Sequence, residues 1–144
     1  MKINNKTFIS RPFTFDLTPS YSFIEEGVVG AAGFTFRTFP NKGTLNEIRY
    51  TLGGGSRFFD ENSRFTTITP ATTFIWRPKD FISNRRKILL FRLRSVFRDI
   101  DEDLVGEIDT EPDFSVFNVR FGDVDNNIIR FRSWVLDGQV ADNF

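Results

Sequence analysis

The sequence predicts an all-β protein: a single-domain antiparallel β-sandwich or jelly roll of about nine strands, with little helix. Three observations predict this class. Apolar residues recur at every second position through most of the chain, which is the period of a strand. The 144 residues include 19 Phe, a residue type that favours pleated, half-buried surfaces. Gly, Pro, Asn and Asp interrupt the alternation at short intervals, as turns between strands do.

The first third of the chain contains three alternating segments. Residues 13–17 read FTFDL and follow Pro12, which suits an edge strand or a strand start. Residues 21–23 form a short second candidate strand. Residues 27–33, GVVGAAG, are small and apolar, and they indicate either a close backbone crossing or a flexible loop. Residues 34–37 resume the alternation, and the sequence Pro-Asn-Lys-Gly that follows is typical of a turn.

The middle of the chain continues the pattern. Residues 48–52 alternate, and residues 53–56, GGGS, are expected to break that strand as a flexible turn. Residues 65–69 and 72–77 are rich in Thr, Phe and Ile and predict two strands, separated by Pro70.

Residues 88–97 are the strongest apolar segment of the chain. Leu89, Leu93, Val96 and Ile100 also fit helical spacing, but strict alternation favours a strand with arginines on its second face. Further on, residues 117–121 and 129–135 predict a hairpin, joined by a turn at 122–127.

A single domain is expected over residues 1–144, and the order of the polar arms at 1–12 and 137–144 is left open by the sequence. Phe carries no polar atom and buries a large area with only two rotatable bonds. We therefore expect nearly all of the phenylalanines to form the core between two sheets.

The residue inventory excludes most catalytic chemistry. The chain has no Cys and no His, so disulfides and thiol or imidazole catalysis are ruled out. Paired carboxylates remain, as residues 25–26 and 101–103, but neighbours in a strand point to opposite faces. We expect no enzymatic activity and no cofactor.

Two runs have the alternating spacing of oxygen ligands for calcium, and both lack the glycine and glutamate of an EF-hand loop. These weak candidates are Asp123, Asp125 and Asn127, and likewise Asp99, Asp101 and Asp103. The alternative for the first run is an ordinary hairpin turn, because Asp and Asn favour turns.

Charge is balanced overall and segregated along the chain. Lys plus Arg and Asp plus Glu each number 19, so the net charge is zero. A basic stretch contains Arg77, Arg85, Arg86, Lys87, Arg92, Arg94 and Arg98. An acidic block follows at once, with Asp99, Asp101, Glu102, Asp103, Glu107 and Asp109. The two form a candidate head-to-tail protein interface, unless they lie side by side and neutralise each other within one monomer.

Two further interpretations concern ligands. Nucleic acid could stack on Phe81, Phe91 and Phe97 beside the basic stretch, but a zero net charge makes this partner unexpected. A glycan could bind Trp76 or Trp134, since sugar-binding sandwiches use such rings; packing within the sheets is the alternative role of both side chains.

The function expected from these features is a non-enzymatic structural or assembly subunit. We expect it to contact copies of itself or other structural proteins, as an accessory (decoration, neck or tail) component of a virus or phage particle. A glycan-binding adhesion module is the alternative. The first residues contain no apolar run typical of a signal peptide, and no segment has the length of a membrane span. The sequence therefore predicts a soluble protein without a membrane partner.

Overall fold

A computed structural model describes residues 1–5, 12–23, 26–40, 43–58, 63–79, 83–99, 113–126 and 131–143. The described residues form eight strands and no helix. The strands are β1 (Ile3–Asn4), β2 (Phe13–Ser22), β3 (Gly27–Thr38), β4 (Leu45–Phe58), β5 (Arg64–Trp76), β6 (Arg86–Asp99), β7 (Phe114–Asn126) and β8 (Phe131–Asn143).

All eight strands belong to one antiparallel sheet, in the order in which they follow one another along the chain. Contacts between strands in the described part of the chain run only between such consecutive neighbours. The all-β class is therefore confirmed. The sandwich or jelly roll of about nine strands is not: alternation predicts that a strand has two different faces, but it does not predict that a second sheet covers one of them.

Several predicted breaks between strands are wrong. Residues 53–56 lie inside β4, and Pro70 lies inside β5, so the two strands predicted around Pro70 are one. The strands predicted at 13–17 and 21–23 likewise fall together in one strand, β2, which ends at Ser22. Residues 27–33 lie inside β3, which excludes the flexible loop. A Cβ on Gly54 would come within 2.9 Å of the Thr67 backbone oxygen, so the glycine permits a close approach between strands. Pro70 leaves only a local gap, because the pairing of β5 with β6 passes from Ile68 directly to Ala71 without a change of register.

The predictions for β6 and for the last hairpin have different outcomes. Residues 88–97 lie within strand β6, so the strand is confirmed over the helix. β7 and β8 pair as an antiparallel hairpin, as predicted. The predicted turn at 122–127 is wrong for residues 122–126, which continue β7, and residue 127 lies outside the described residues. Asp and Asn are compatible with turns, but here the ladder to β6 and β8 extends through them.

The register divides the side chains of β2–β7 between two faces, because directly paired residues share a face. The apolar face carries the alternating set that includes Phe13, Phe36, Tyr50, Thr72, Phe91 and Val119, which follow one another across the sheet. The polar face carries the intervening set, which includes Thr14, Thr35, Thr51, Ala71, Arg92 and Asn118. The names apolar face and polar face refer to these two sets.

Burial is inverted relative to an ordinary sheet protein. Five of the seven buried side chains in the described residues lie on the polar face: Thr14, Glu47, Ile75, Val96 and Asn118. In a single-layer sheet only neighbouring side chains can shield one another, so the polar face is the better shielded of the two faces.

The predicted phenylalanine core is wrong for the described residues. Their only buried hydrophobic side chains are Ile75 and Val96, and both lie on the polar face. The phenylalanines on the apolar face lack a covering layer, so Phe36, for example, is 48% exposed. No helix in the described part of the chain has the length and apolarity needed to cross a membrane.

Candidate functional site

The largest surface feature is the apolar face itself. Sixteen large hydrophobic side chains are exposed in the described residues, and none lies on the polar face of a strand. Twelve are on the apolar face of β2–β8: Phe13, Tyr21, Val28, Phe34, Phe36, Tyr50, Leu52, Ile68, Leu93, Phe97, Phe117 and Val140. Their exposed fractions amount to about 1,000 Å² of apolar surface. The largest patch on a typical monomer is about 300–600 Å², so this face is a candidate contact surface.

Hydroxyl groups on the apolar face hydrogen-bond to one another across strands. The Thr66 hydroxyl donates to Ser56 Oγ at 3.2 Å, and the Ser95 and Ser115 hydroxyls lie 2.8 Å apart. Each pair is directly opposite in the register. These four hydroxyls therefore have partners within the sheet and do not depend on water.

Charged side chains of β2–β7 avoid the middle of the apolar face. On this face they occur only near strand ends, with Lys87 opposite Asp123 at one limit and Arg64 opposite Asp99 at the other. Between these limits, every apolar-face position of β6 from Leu89 to Phe97 is uncharged. We call the apolar-face positions between these limits the uncharged belt. The charges of the strand interiors instead lie on the polar face.

A buried carboxylate organises part of the polar face. Glu47 is 8% exposed and lies beside a β-bulge at the start of β4. Arg49 donates from Nε to Glu47 Oε1 at 2.9 Å, and its Nη2 lies 2.9 Å from the same oxygen. Arg37 Nε approaches that oxygen at 3.7 Å. The negative charge of Glu47 thus lies between the positive charges of Arg37 and Arg49, which are directly opposite each other in the pairing of β3 with β4.

A second ion pair lies at one end of the sheet. Arg85 donates from Nε to Asp123 Oδ1 at 3.2 Å and from Nη2 to Oδ2 at 2.7 Å, in the forked geometry that arginine forms with carboxylates. The hydrogen bond to Asp123 and its charge raise the pKa of the Arg85 guanidinium above its usual value. Asp123 is 9% exposed, so the pair fixes the segment before β6 against β7.

The pair borders a groove of about 490 Å³, which we call the basic-end groove. It is lined by Thr44, Trp76, Arg77, Pro78, Arg85, Arg86, Lys87 and Phe121. The Trp76 ring stacks on Phe74, with centroids 6.0 Å apart. Cationic groups next to an aromatic ring are suited to an anionic ligand.

The predicted basic patch is divided by the structure. Arg77, Arg85, Arg86 and Lys87 meet at the basic-end groove. The register places Arg92, Arg94 and Arg98 farther along the polar face of β6, toward its other end. Of the predicted acidic block, Asp99 ends β6; Asp101, Glu102, Asp103, Glu107 and Asp109 lie outside the described residues.

The remaining predicted site residues can be located in part. Asp123 and Asp125 lie in β7, and Asp123 already accepts two hydrogen bonds from Arg85. Asn127 lies outside the described residues, and the described ones contain no group of three or more potential metal ligands. Trp76 lines the groove; β8 pairs Trp134 with Asp123 through its backbone, and the side chain of Trp134 is outside the description.

The apolar face as a surface and the buried Glu47 were both missed by sequence reasoning. A signal for the face was present, because no charged residue falls among its positions within the strand interiors. The acid Glu47 lies between Arg37 and Arg49 only through the β3–β4 register, so it had no local signal. Comparison of the chain with protein-family models, curated proteins and solved structures finds no match.

Proposed function

We propose that this protein is a non-enzymatic structural subunit that works through contacts made by its apolar face. The observation that carries the proposal is the exposure of about 1,000 Å² of apolar side chains on one face. At about 25 cal/mol per Å², covering that area contributes roughly 25 kcal/mol before the entropic cost of association. A chain that exposes this surface to water has a large driving force to contact something else.

We keep the assembly role expected from the sequence, but we assign the main contact to the apolar face instead of the basic stretch. Segregated charge predicted a salt-sensitive, head-to-tail contact through the basic stretch. The ion pair between Arg85 and Asp123 neutralises part of the basic end within one chain. Contact through the apolar face is not weakened by salt. Salt dependence therefore distinguishes the two modes of contact.

Light scattering in aqueous buffer at low and high salt tests this proposal. We expect association that persists or increases in high salt, since salt does not weaken apolar contacts. The variant Phe36→Ser/Leu52→Ser should reduce association, and reversing the charge of Arg86 and Lys87 should have little effect. A monomer under all conditions would contradict the proposal, and association abolished by salt or by the charge reversal would favour the segregated-charge model.

A second candidate function is supported by the basic-end groove. We infer that its Trp76 ring and its cations suit an acidic glycan better than a neutral one, because the ring supplies a stacking surface and the cations pair with carboxylate or sulfate. Binding of a sulfated oligosaccharide, measured by calorimetry, should be lost in Trp76→Ala and in Arg77→Gln. Binding that survives both changes would exclude this groove.

A further inference from the structure

We infer that the apolar face lies against the hydrocarbon chains of a lipid bilayer. The inference rests on the proposed function and names the partner of that same face. Three observations on the described residues point to lipid: the length of the uncharged belt, the residues at its limits, and the pairing of its hydroxyl groups.

The length of the belt matches a hydrocarbon layer. On the apolar face of β6 the uncharged positions run from Leu89 to Phe97, a span of nine residues, and the next positions on that face are Lys87 and Asp99. A strand that crosses the hydrocarbon core of a bilayer at a tilt needs about 9–11 residues. Charges therefore begin where the hydrocarbon would end.

The limits of the belt carry side chains suited to a lipid–water boundary. Trp76 is directly opposite Lys87 at one limit. Tyr21 is the last apolar-face position of β2 and is 51% exposed. Trp and Tyr have an apolar ring and a polar edge, and they are enriched where membranes meet water. Lysine can extend its ammonium group to the headgroups while its methylenes remain in apolar surroundings.

Four hydroxyl groups inside the belt have partners within the sheet. Hydrocarbon offers no hydrogen bonds, so an unpaired hydroxyl there is costly. The hydroxyls of Ser56 and Thr66, and those of Ser95 and Ser115, bond to each other within the sheet. Charge is meanwhile collected on the opposite face, where Glu47 is buried between two arginines. This is the distribution expected of a sheet with lipid on one face only.

A second copy of the chain is the main alternative occupant. A protein interface also has an apolar centre within a polar rim, so the charged limits of the belt are compatible with both occupants. The uncharged belt extends across β2–β7 and has charged limits only at strand ends. A non-directional solvent such as hydrocarbon fits that uniformity better than one protein surface does.

Immersion sets one condition on the sheet edges. In the described residues, β1 covers only two residues of β2, and β8 is the opposite edge. Backbone groups at an edge cannot remain unpaired in hydrocarbon, so the inference requires hydrogen-bond partners for both edges. The lack of a long apolar run led to the expectation of no membrane partner. A search for long apolar runs detects membrane-spanning helices. It does not detect the apolar face of a strand, because polar residues alternate with the apolar ones in the sequence.

Flotation with vesicles of phosphatidylcholine tests the inference, because this zwitterionic lipid offers no net charge to the arginines. Two adjacent alanines provide matched variants: Ala32 lies in the belt, and Ala31 is exposed on the polar face. Ala32→Lys should lower vesicle partition at least about 30-fold, the cost of a cation in hydrocarbon. Ala31→Lys should change partition less than about threefold, because its lysine remains outside the belt.

Fluorescence quenching locates the face directly. In a variant lacking both native tryptophans, Phe34→Trp should be quenched by lipid brominated deep in the acyl chains, and Arg94→Trp should not. No flotation, or equal quenching of the two probes, would overturn the inference. If aqueous association through Phe36 and Leu52 persists without vesicle binding, the lipid inference fails and the contact function stands. If neither is observed, both fail.

Discussion

The buried carboxylate of Glu47 provides the sharpest test of the polar face. Changing Glu47→Ala removes the acceptor of two Arg49 groups and leaves two guanidiniums facing each other across β3 and β4. Removing one partner of a fully buried pair costs about 3–5 kcal/mol. Arg37 and Arg49 remain 26% and 35% exposed, so water can solvate them in part. We therefore expect a loss of about 2–3 kcal/mol in the free energy of unfolding.

Urea unfolding at matched protein concentration, followed by tryptophan fluorescence, measures this loss. Glu47→Gln should be intermediate, because its amide oxygen still accepts a hydrogen bond without the charge. Arg57→Gln is the control on the same strand and face: Arg57 is exposed, and its guanidinium lies 4.3 Å from the Phe65 ring centroid. That contact is worth less than about 1 kcal/mol. A loss in Glu47→Ala no larger than in the control would refute the assigned role of the carboxylate.

Two further predictions concern the backbone and the basic end. Gly30→Ala should destabilise the fold by at least about 2 kcal/mol, because Gly30 has φ of +141° and a Cβ there would clash with the backbone oxygen of Thr18. Gly53→Ala, whose Cβ has room, should change the unfolding free energy by less than about 1 kcal/mol in the same assay. Asp123→Asn should lower the Tm, and by the same amount from about pH 6 to about pH 9: a raised Arg85 pKa preserves that contribution until strongly alkaline pH. A loss that varies across that range would contradict this assignment.

Much of the secondary structure could be predicted because alternation is a local property. The strand at residues 88–97 was distinguishable from a helix since apolar and basic residues alternate there almost without interruption. The break predicted at residues 53–56 failed because glycine has two uses. It can end a strand, or it can admit a neighbouring backbone, and only the register with Thr67 shows which use applies.

The candidate sites were less predictable, because they depend on pairs distant in sequence. Arg85 and Asp123 are 38 residues apart, and each was assigned separately, one to a protein interface and one to a weak calcium site. The two hydrogen bonds from Arg85 to Asp123 make both residues parts of one ion pair within the chain. Trp76 and Lys87 were likewise assigned to different ligands, and they face each other only because β5 and β6 pair in this register.

The prediction that failed most completely concerns the phenylalanines, and its failure has a physical cause. Alternation with a period of two shows that a strand has two different faces, but it does not show which of the two faces is exposed to water. The choice of the apolar face as the interior assumes that a second layer covers it. Here the described strands form one layer, and the charges of the strand interiors lie on the face that carries most of the buried side chains. With polar groups on the shielded face, the apolar face is left uncovered in the described residues, and about 1,000 Å² of its side chains is exposed. That exposure is the reason for proposing that this face makes the contacts of the protein.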